Sequence, residues 1–269
     1  MEVYVLPLHC QLILRNQVYN RFHRLPLPAS CLLCDSHDLE PGSGFCQNCH
    51  HDLPWMQSAC RHCGKSGPVG ALGTTPYLCR RCQKKRPPIT LCITAFHYQY
   101  PINKLIQLMK YRSRLDIVTC MGDQLAHVIA QRLAHIPRAG PADGNVWPQA
   151  LIPVPLHYRK LMHRGYNQSI ELAKVLSRRL EVPLLRHSSQ RVRPTVSQTR
   201  LDLRLRHQNV RRAFRATGHR QLDHVAMVDD VMTSGMTLYE LGNTLRQSGI
   251  RRIDAWVLAR ASDHGQTSS

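Results

Sequence analysis

Residues 225–250 read VAMVDDVMTSGMTLYELGNTLRQSGI. An apolar run ends in two aspartates, Asp229 and Asp230, and a loop of small and hydroxyl-bearing residues then leads into a helical pattern. Two readings compete. In the plainer one, Thr237 is a helix N-cap, Glu240 reaches back to close a capping box, and the aspartates are polar residues at a strand end. In the sharper one, Thr233-Ser234-Gly235-Met236-Thr237 turns the chain into a helix start whose free N–H groups face outward. Gly235 then lets the backbone approach a ligand, and the hydroxyls of Thr233, Ser234 and Thr237 add donors, which makes a cradle for phosphate. Two carboxylates beside such a cradle suit sugar hydroxyls, or a hard cation such as Mg2+ held through water. A ligand with a phosphate, vicinal hydroxyls and a metal-bound pyrophosphate satisfies both halves, and phosphoribosyl pyrophosphate (PRPP) is one.

The surroundings of this stretch set the fold class. From residue 150 onward, ALIPVP (150–155) reads as a strand, SIELAKVLSRRL (169–180) as a helix and HVAMVDD (224–230) as a strand. TLYELGNTLRQSG (237–249) follows as a helix and RIDAWVLAR (252–260) as a strand. Before them, LCITAFHYQY (91–100) reads as a strand, and INKLIQLMKYR (102–112) as an amphipathic helix with Ile102, Leu105, Ile106 and Met109 on one face. A further helical pattern covers roughly 116–136, and PRAGPADGNVWPQ (137–149) is a loop. Short apolar strands alternating with helices predict an α/β domain, a parallel sheet with helices on both faces. Ligands in such sheets bind beyond the carboxyl ends of the strands, where the acidic pair and its loop fall.

The chain of 269 residues has room for one domain of ordinary size plus a small module, and 43% hydrophobic content excludes global disorder. No stretch reaches the ~18 uninterrupted apolar residues of a membrane span. The opening MEVYVLPLHCQLILRNQVYNRFHR lacks a basic segment followed by a small-residue cleavage site, so a soluble, cytoplasmic protein is expected. Residues 1–30 are read as an extension of unknown role and 263–269 as a disordered tail.

Eleven cysteines in such a protein point to metal rather than disulfides. Eight of them form four pairs of one form: Cys31/Cys34, Cys46/Cys49, Cys60/Cys63 and Cys79/Cys82. Two thiolates separated by two residues reach one ion from a tight knuckle, and two knuckles complete a tetrahedral shell. Residues 31–90 therefore read as a double zinc ribbon with two structural Zn2+ sites, because four thiolates leave no open position for catalysis. Consecutive pairing of the knuckles is expected, although spacing by itself also allows an interleaved arrangement. Gly64 suits the sharp turn after a knuckle. His50, His51 and His62 are read as bystanders, and Cys10, Cys92 and Cys120 as small apolar residues. QKKRPPIT (83–90) is the linker to a second domain, 91–262.

Charge narrows the class of partner. The chain carries 36 Lys and Arg against 17 Asp and Glu, a net +19, which favours nucleic acid, nucleotides or phosphorylated small molecules. Most of the excess lies in 151–222, where sixteen basic residues face three acidic ones. LIPVPLHYRKLMHRGYNQSI (151–170) repeats the strand–loop–helix plan, with His157, Arg159, Lys160, His163 and Arg164 ahead of Gly165-Tyr166-Asn167-Gln168. Read plainly, it is a solvated basic loop; facing a metal–phosphate site, it neutralises pyrophosphate, with arginine in bidentate contact. RVRPTVSQTRLDLRLRHQNVRRAF (191–214) is either a hood over a site or a groove for a nucleic-acid backbone.

VDDVMTSGMT resembles the PRPP-binding signature of type I phosphoribosyltransferases. The chain as a whole resembles the ComF/GntX family across about residues 31–260. The resemblance rests on the cysteine ribbons, Pro153 to Leu156, Arg164 to Gln168, Arg193/Thr195/Gln198 with Arg206/Asn209/Ala213/Phe214, and Asp229 to Thr237. Tyr166 stands where the family usually has Phe. The resemblance implies a type I phosphoribosyltransferase-like domain in which Asp229 and Asp230 contact the ribose hydroxyls and metal. Thr233, Ser234, Gly235, Met236 and Thr237 would cradle the 5′-phosphate, and Arg159, Arg164, Asn167 and Gln168 would face pyrophosphate. It also implies a link to natural transformation, uptake of DNA, or use of external DNA. Two functions follow: Mg2+-dependent phosphoribosyl transfer between PRPP and a base, or a non-catalytic single-stranded DNA-binding competence protein acting with other competence proteins. Aromatic content of 6% offers few stacking platforms and weighs against the second. Neither the acceptor base nor turnover is written in a local motif.

Overall fold

Strand β1 (Leu91–His97) is buried along its middle, and its LCITAFH sequence mixes β-branched and apolar residues that suit a two-sided sheet position. The computed structural model describes residues 30–40, 43–68, 77–112, 114–134, 147–193, 212–216 and 221–262. The expected extension 1–30, apart from Ser30, the tail 263–269, and Thr195, Gln198, Arg206 and Asn209 lie outside those residues.

Four strands form one parallel sheet in the order β1-β6-β5-β2, where β2 is Ala150–Pro153, β5 is His224–Met232 and β6 is Arg252–Arg260. Every pairing is parallel, so the carboxyl ends of all four strands share one edge. The expected α/β class is therefore present. Pro153 closes β2 at the sheet border, where its missing N–H costs least.

Helices α3 (Ile102–Arg112) and α4 (Leu115–Leu133) follow β1, and α6 (Gln168–Leu180) follows β2. Helices α4 and α6 lie together on one face of the sheet, and α7 (Met236–Gln247) covers the other. Ile102, Leu105, Ile106 and Met109 are all buried, as their spacing predicts. The sheet thus splits the interior in two. Trp256, Phe96, Leu125 and Leu172 belong to the core beneath α4 and α6, and Met227, Val257, Leu238 and Leu241 to the core beneath α7.

Two features have no counterpart in the sequence reading. The basic stretch after β2 contains a short helix, α5 (Tyr158–Arg164), capped by His157, whose Nδ1 accepts from the Arg159 N–H, and ended by left-handed Gly165. Farther on, β3 (Ser189–Arg191) pairs with β4 (Phe214–Ala216) as a small antiparallel ribbon apart from the main sheet.

The cysteine module lies along the open edge of β1. Trp55 bridges Phe96, the Met56 N–H donates to the Ala95 carbonyl, and the His97 N–H donates to the Pro54 carbonyl. Lower on the strand, the Cys92 N–H donates to the Arg61 carbonyl. An edge that would otherwise offer unpaired backbone groups is covered by the module.

Candidate functional site

Eight thiols form two clusters, Cys31/Cys34/Cys46/Cys49 and Cys60/Cys63/Cys79/Cys82, with the sulfurs of each cluster all within 4.8 Å of one another. The knuckles pair consecutively, which resolves the alternative that spacing left open. Cys46 and Cys79 sit at the N-caps of the short helices α1 (Gln47–His51) and α2 (Arg80–Lys84). Burial pushes the Cys31 thiol up, but the backbone N–H groups of Cys46, Leu33 and Cys34 outweigh it and hold Cys31 at about 6. A hydrogen bond with Cys63 is the main cause that holds Cys60 down at about 4, against its burial. Four sulfurs, with no fifth donor grouped with them among the described residues, fit a closed tetrahedral zinc site. The three neighbouring histidines are engaged elsewhere: His50 with Gln124 and Glu40, His62 with the Ile89 and Thr90 carbonyls, and His51 with Asp52.

Asp229 and Asp230 lie in the second half of β5, near the carboxyl edge where ligands are expected. Asp230 is buried, and Asp229 lies deep in the protein while staying partly accessible. The Ser169 hydroxyl donates to Asp229 Oδ1 at 2.9 Å, and the Asp230 N–H donates to the same oxygen at 3.0 Å. Lys110, from α3, brings its amine to 2.8 Å from Asp230 Oδ2. Burial, and then the neighbouring Asp230 charge, push the Asp229 carboxyl up to about 7, against Ser169 and Lys110. Burial pulls the Lys110 amine down, but the charge and hydrogen bonding of Asp230, with Asp229 behind it, hold it above its usual range.

The loop after the acidic pair departs from the capping box. Helix α7 begins at Met236, and its N-cap is Gly235 at φ +79°, with no side chain capping the start. Thr237 is therefore a helical residue, and Glu240 accepts instead from the Arg212 N–H. Gly235 is required twice over. Its φ favours glycine, and a Cβ there would stand 2.6 Å from Met232 Cε and 2.7 Å from Tyr239 Cζ. Thr233 is exposed, and Ser234 Oγ is buried with no hydrogen-bond partner.

The basic residues divide by role. Arg159 lies exposed on α5 and donates to the hydroxyl of its neighbour Tyr158 at 3.2 Å. Arg164 donates to Gln168 Oε1 at 3.4 Å, leaving Gln168 Nε2 buried without a partner. Asn167 is the N-cap of α6, with Oδ1 accepting from the Ser169 N–H and Nδ2 donating to the Val154 carbonyl. Its role in the fold is thus to start a helix. The cations nearest the acids are others. Burial, then the charges of Arg191, Arg164 and Lys110, hold the Lys160 amine below its ordinary value, so these four share one region. Burial lowers Arg191 as well, against the pull of Asp229. Tyr166 is pushed up by burial, against the Gln168 side chain beside its hydroxyl, with the Asp230 charge a smaller contribution.

Sequence reasoning missed three residues of this site: Ser169, Lys110 and Arg260. Ser169 follows the NQ pair directly, and Lys110 is a polar residue one position after Met109 on a helix read only for its apolar face. Arg260 closes β6 and is 4% exposed, and its guanidinium donates to the carbonyls of Met232, Thr233 and Cys63. A charged residue ending an apolar strand was the one local signal for it.

Comparisons with known proteins bear on the ribbon module and on the chain as a whole. Residues 22–83 match the model of a double zinc ribbon domain, starting ahead of the first knuckle. Over 236 residues the chain is 32% identical to Competence protein F of Haemophilus influenzae, covering 86% of this chain and 96% of that protein. It is 31% identical over 236 residues to DNA utilization protein YhgH of Shigella flexneri, covering 88% of this chain and 99% of the relative. Competence protein ComFC of Bacillus subtilis is 22% identical over 257 residues, with 87% and 94% covered. These similarities extend well beyond the ribbon module into the α/β domain.

Proposed function

The chain belongs to the ComF family, and from that premise we propose that it binds PRPP, or a related 5-phosphoribosyl ligand, together with Mg2+, in the service of competence or the use of external DNA. The observation that carries the ligand is the pairing, on one sheet edge, of two carboxylates with a glycine-capped helix start that holds an unpartnered Ser234 hydroxyl. Tyr166 Oη and Gln168 Nε2 lie buried beside one another without a hydrogen bond of good geometry, and a ligand would complete their bonding. In this reading Asp229 and Asp230 accept from the ribose hydroxyls, and the backbone N–H groups of residues 233–237 hold the 5′-phosphate.

The chemistry that fits is phosphoribosyl transfer. The bond between the ribose anomeric carbon and the pyrophosphate oxygen breaks, the carbon gains cationic character, and a base nitrogen takes the place of pyrophosphate. Mg2+ supplies charge neutralisation at the departing pyrophosphate. This chain's own contribution is positioning and electrostatics. Lys160, Arg164 and Arg191 face the developing negative charge, and Lys110 holds Asp230 in place through their ion pair.

Calorimetry of PRPP with Mg2+, wild type against Asp229→Asn/Asp230→Asn, tests the site. Loss of two charge-assisted contacts predicts roughly a 100-fold weaker affinity. Equal, weak binding in both proteins removes the reading. A turnover assay of free bases with PRPP then decides whether binding leads to transfer. A second reading, direct binding of single-stranded DNA, is supported by exposed Tyr158 and Met162 beside Arg159 on α5. A log affinity for DNA that stays flat against log salt would remove it.

A further inference from the structure

The second cysteine cluster lies directly behind the loop that starts α7. Arg260 Nε donates to the carbonyl of Cys63, a knuckle residue, at 3.0 Å. Its Nη1 donates to the Met232 carbonyl at 3.1 Å, to the Thr233 carbonyl, and to the Ala261 carbonyl at 2.6 Å. One buried guanidinium therefore joins the knuckle, the end of the sheet and the first residues of the loop. Packing continues the link. A Cβ at Gly64 would stand 2.9 Å from Cys92 Sγ, and Cys92 Sγ is 4.0 Å from Met232 Sδ. Met232 Cε in turn fills the space beside Gly235. Tyr239, which crowds the same Gly235 Cβ position, packs against the core that holds all four cysteines of the second cluster.

We propose that the second zinc ribbon is the rear wall of the phosphate loop, and that Arg260 is the positioning residue connecting them. Ordering of residues 232–237 then depends on metal in the Cys60/Cys63/Cys79/Cys82 cluster and not on metal in the Cys31/Cys34/Cys46/Cys49 cluster. The physical route is the peptide plane. In a trans peptide the carbonyl of one residue and the N–H of the next point in opposite directions. Holding the Met232 and Thr233 carbonyls on the Arg260 side turns the Thr233 and Ser234 N–H groups the other way. A cation is suited to this work, since hydrogen bonds from a charged donor are about twice as strong as neutral ones. Lysine could not replace it, because one ammonium cannot span carbonyls on both the knuckle and the loop as the guanidinium fork does. For its consequence in ligand affinity the proposal rests on the PRPP reading; for loop order it does not.

The test is hydrogen exchange of the full-length protein, followed over residues 229–240, with bound zinc counted in parallel. Arg260→Lys is expected to retain two zinc ions while amide exchange in the loop rises about tenfold or more, as local opening becomes easier. Cys79→Ser is expected to lose one zinc and show the same rise, and Cys34→Ser to lose one zinc with loop exchange unchanged. PRPP affinity should fall about tenfold in Arg260→Lys when measured well below the variant's melting temperature, a loss that global destabilisation of a still-folded protein would not produce. Wild-type loop exchange in Arg260→Lys overturns the proposal, and so does an equal rise in Cys34→Ser and Cys79→Ser. If Cys79→Ser does not fold, Arg260→Lys against Cys34→Ser still decides. If wild type binds no PRPP, the ligand reading falls while the exchange comparison still judges the coupling.

Discussion

The two cysteine clusters share one sequence form and take up opposite positions. In the first, Cys34 is exposed and Cys49 half-buried, and the cluster joins the core beneath α4 and α6. In the second all four cysteines are buried, and they join the core beneath α7 with Met232 and Tyr239 packed among them. Identical metal chemistry therefore has different mechanical consequences. The first ribbon holds an outer flank of the sheet through Trp55, whose ring lies 4.5 Å from that of Phe96. The second backs the loop on which ligand binding is proposed to depend.

The most drastic way to break this comparison is to remove one metal at a time. Cys60→Ser should cost at least about 4 kcal/mol, because the binding energy of a structural zinc is folding energy and this cluster lies inside a core. Cys34→Ser, at the exposed cluster, should cost clearly less; calorimetric melting with zinc analysis compares the two. Trp55→Ala should follow at about 3 kcal/mol, through lost burial, the ring contact and the hydrogen bond to the His50 carbonyl. Denaturant unfolding reads that cost, and loop exchange should stay as in wild type. Gly64→Ala tests the opposite side. An alanine at φ +63° with its Cβ 2.7 Å from Thr94 Oγ1 should cost about 2 kcal/mol, and here loop exchange should rise.

The smallest expected effect is one of pH, and it concerns the acidic pair on the loop side. Asp229 titrates at about 7 in the folded protein, above its ordinary value of 3.8. Between about pH 4 and 7 the unfolded chain gives up this proton first, so stability of the ligand-free protein falls as pH rises through that window. Asp229→Asn keeps an oxygen for Ser169 and for the Asp230 N–H but removes the charge. The variant should gain on the order of 1 kcal/mol above pH 7 and nothing near pH 4, read from melting temperature against pH.

Much of the candidate site was legible as short contiguous motifs, and the exceptions are instructive. The capping box over Thr237 and Glu240 was a sound local pattern that lost to sterics. Glycine in the left-handed region starts the helix at Met236, which leaves Thr237 inside it and Glu240 free to meet Arg212. Asn167 belongs to a recognisable motif, and the structure adds that its side chain caps α6 and ties that helix to β2 through Val154. Arg159 lies in the same stretch, but on a seven-residue helix that turns it outward onto Tyr158. Loop motifs name the residue types present without saying which side chains the backbone spends on itself.

By itself the sequence determined the metal sites, the acidic pair with its glycine loop, and the alternation that makes a parallel α/β sheet. Each depends on backbone geometry within a few residues or on a regular hydrophobic period, and both are local properties. Only the tertiary structure decided which knuckles meet, which face each ribbon covers, and that Ser169, Lys110 and Arg260 belong to the site. The reason is the sheet order β1-β6-β5-β2, which sets the carboxyl ends of distant segments side by side. Arg260 and Cys63 are 197 residues apart in the chain and 3.0 Å apart in space, and no spacing rule reaches across that distance.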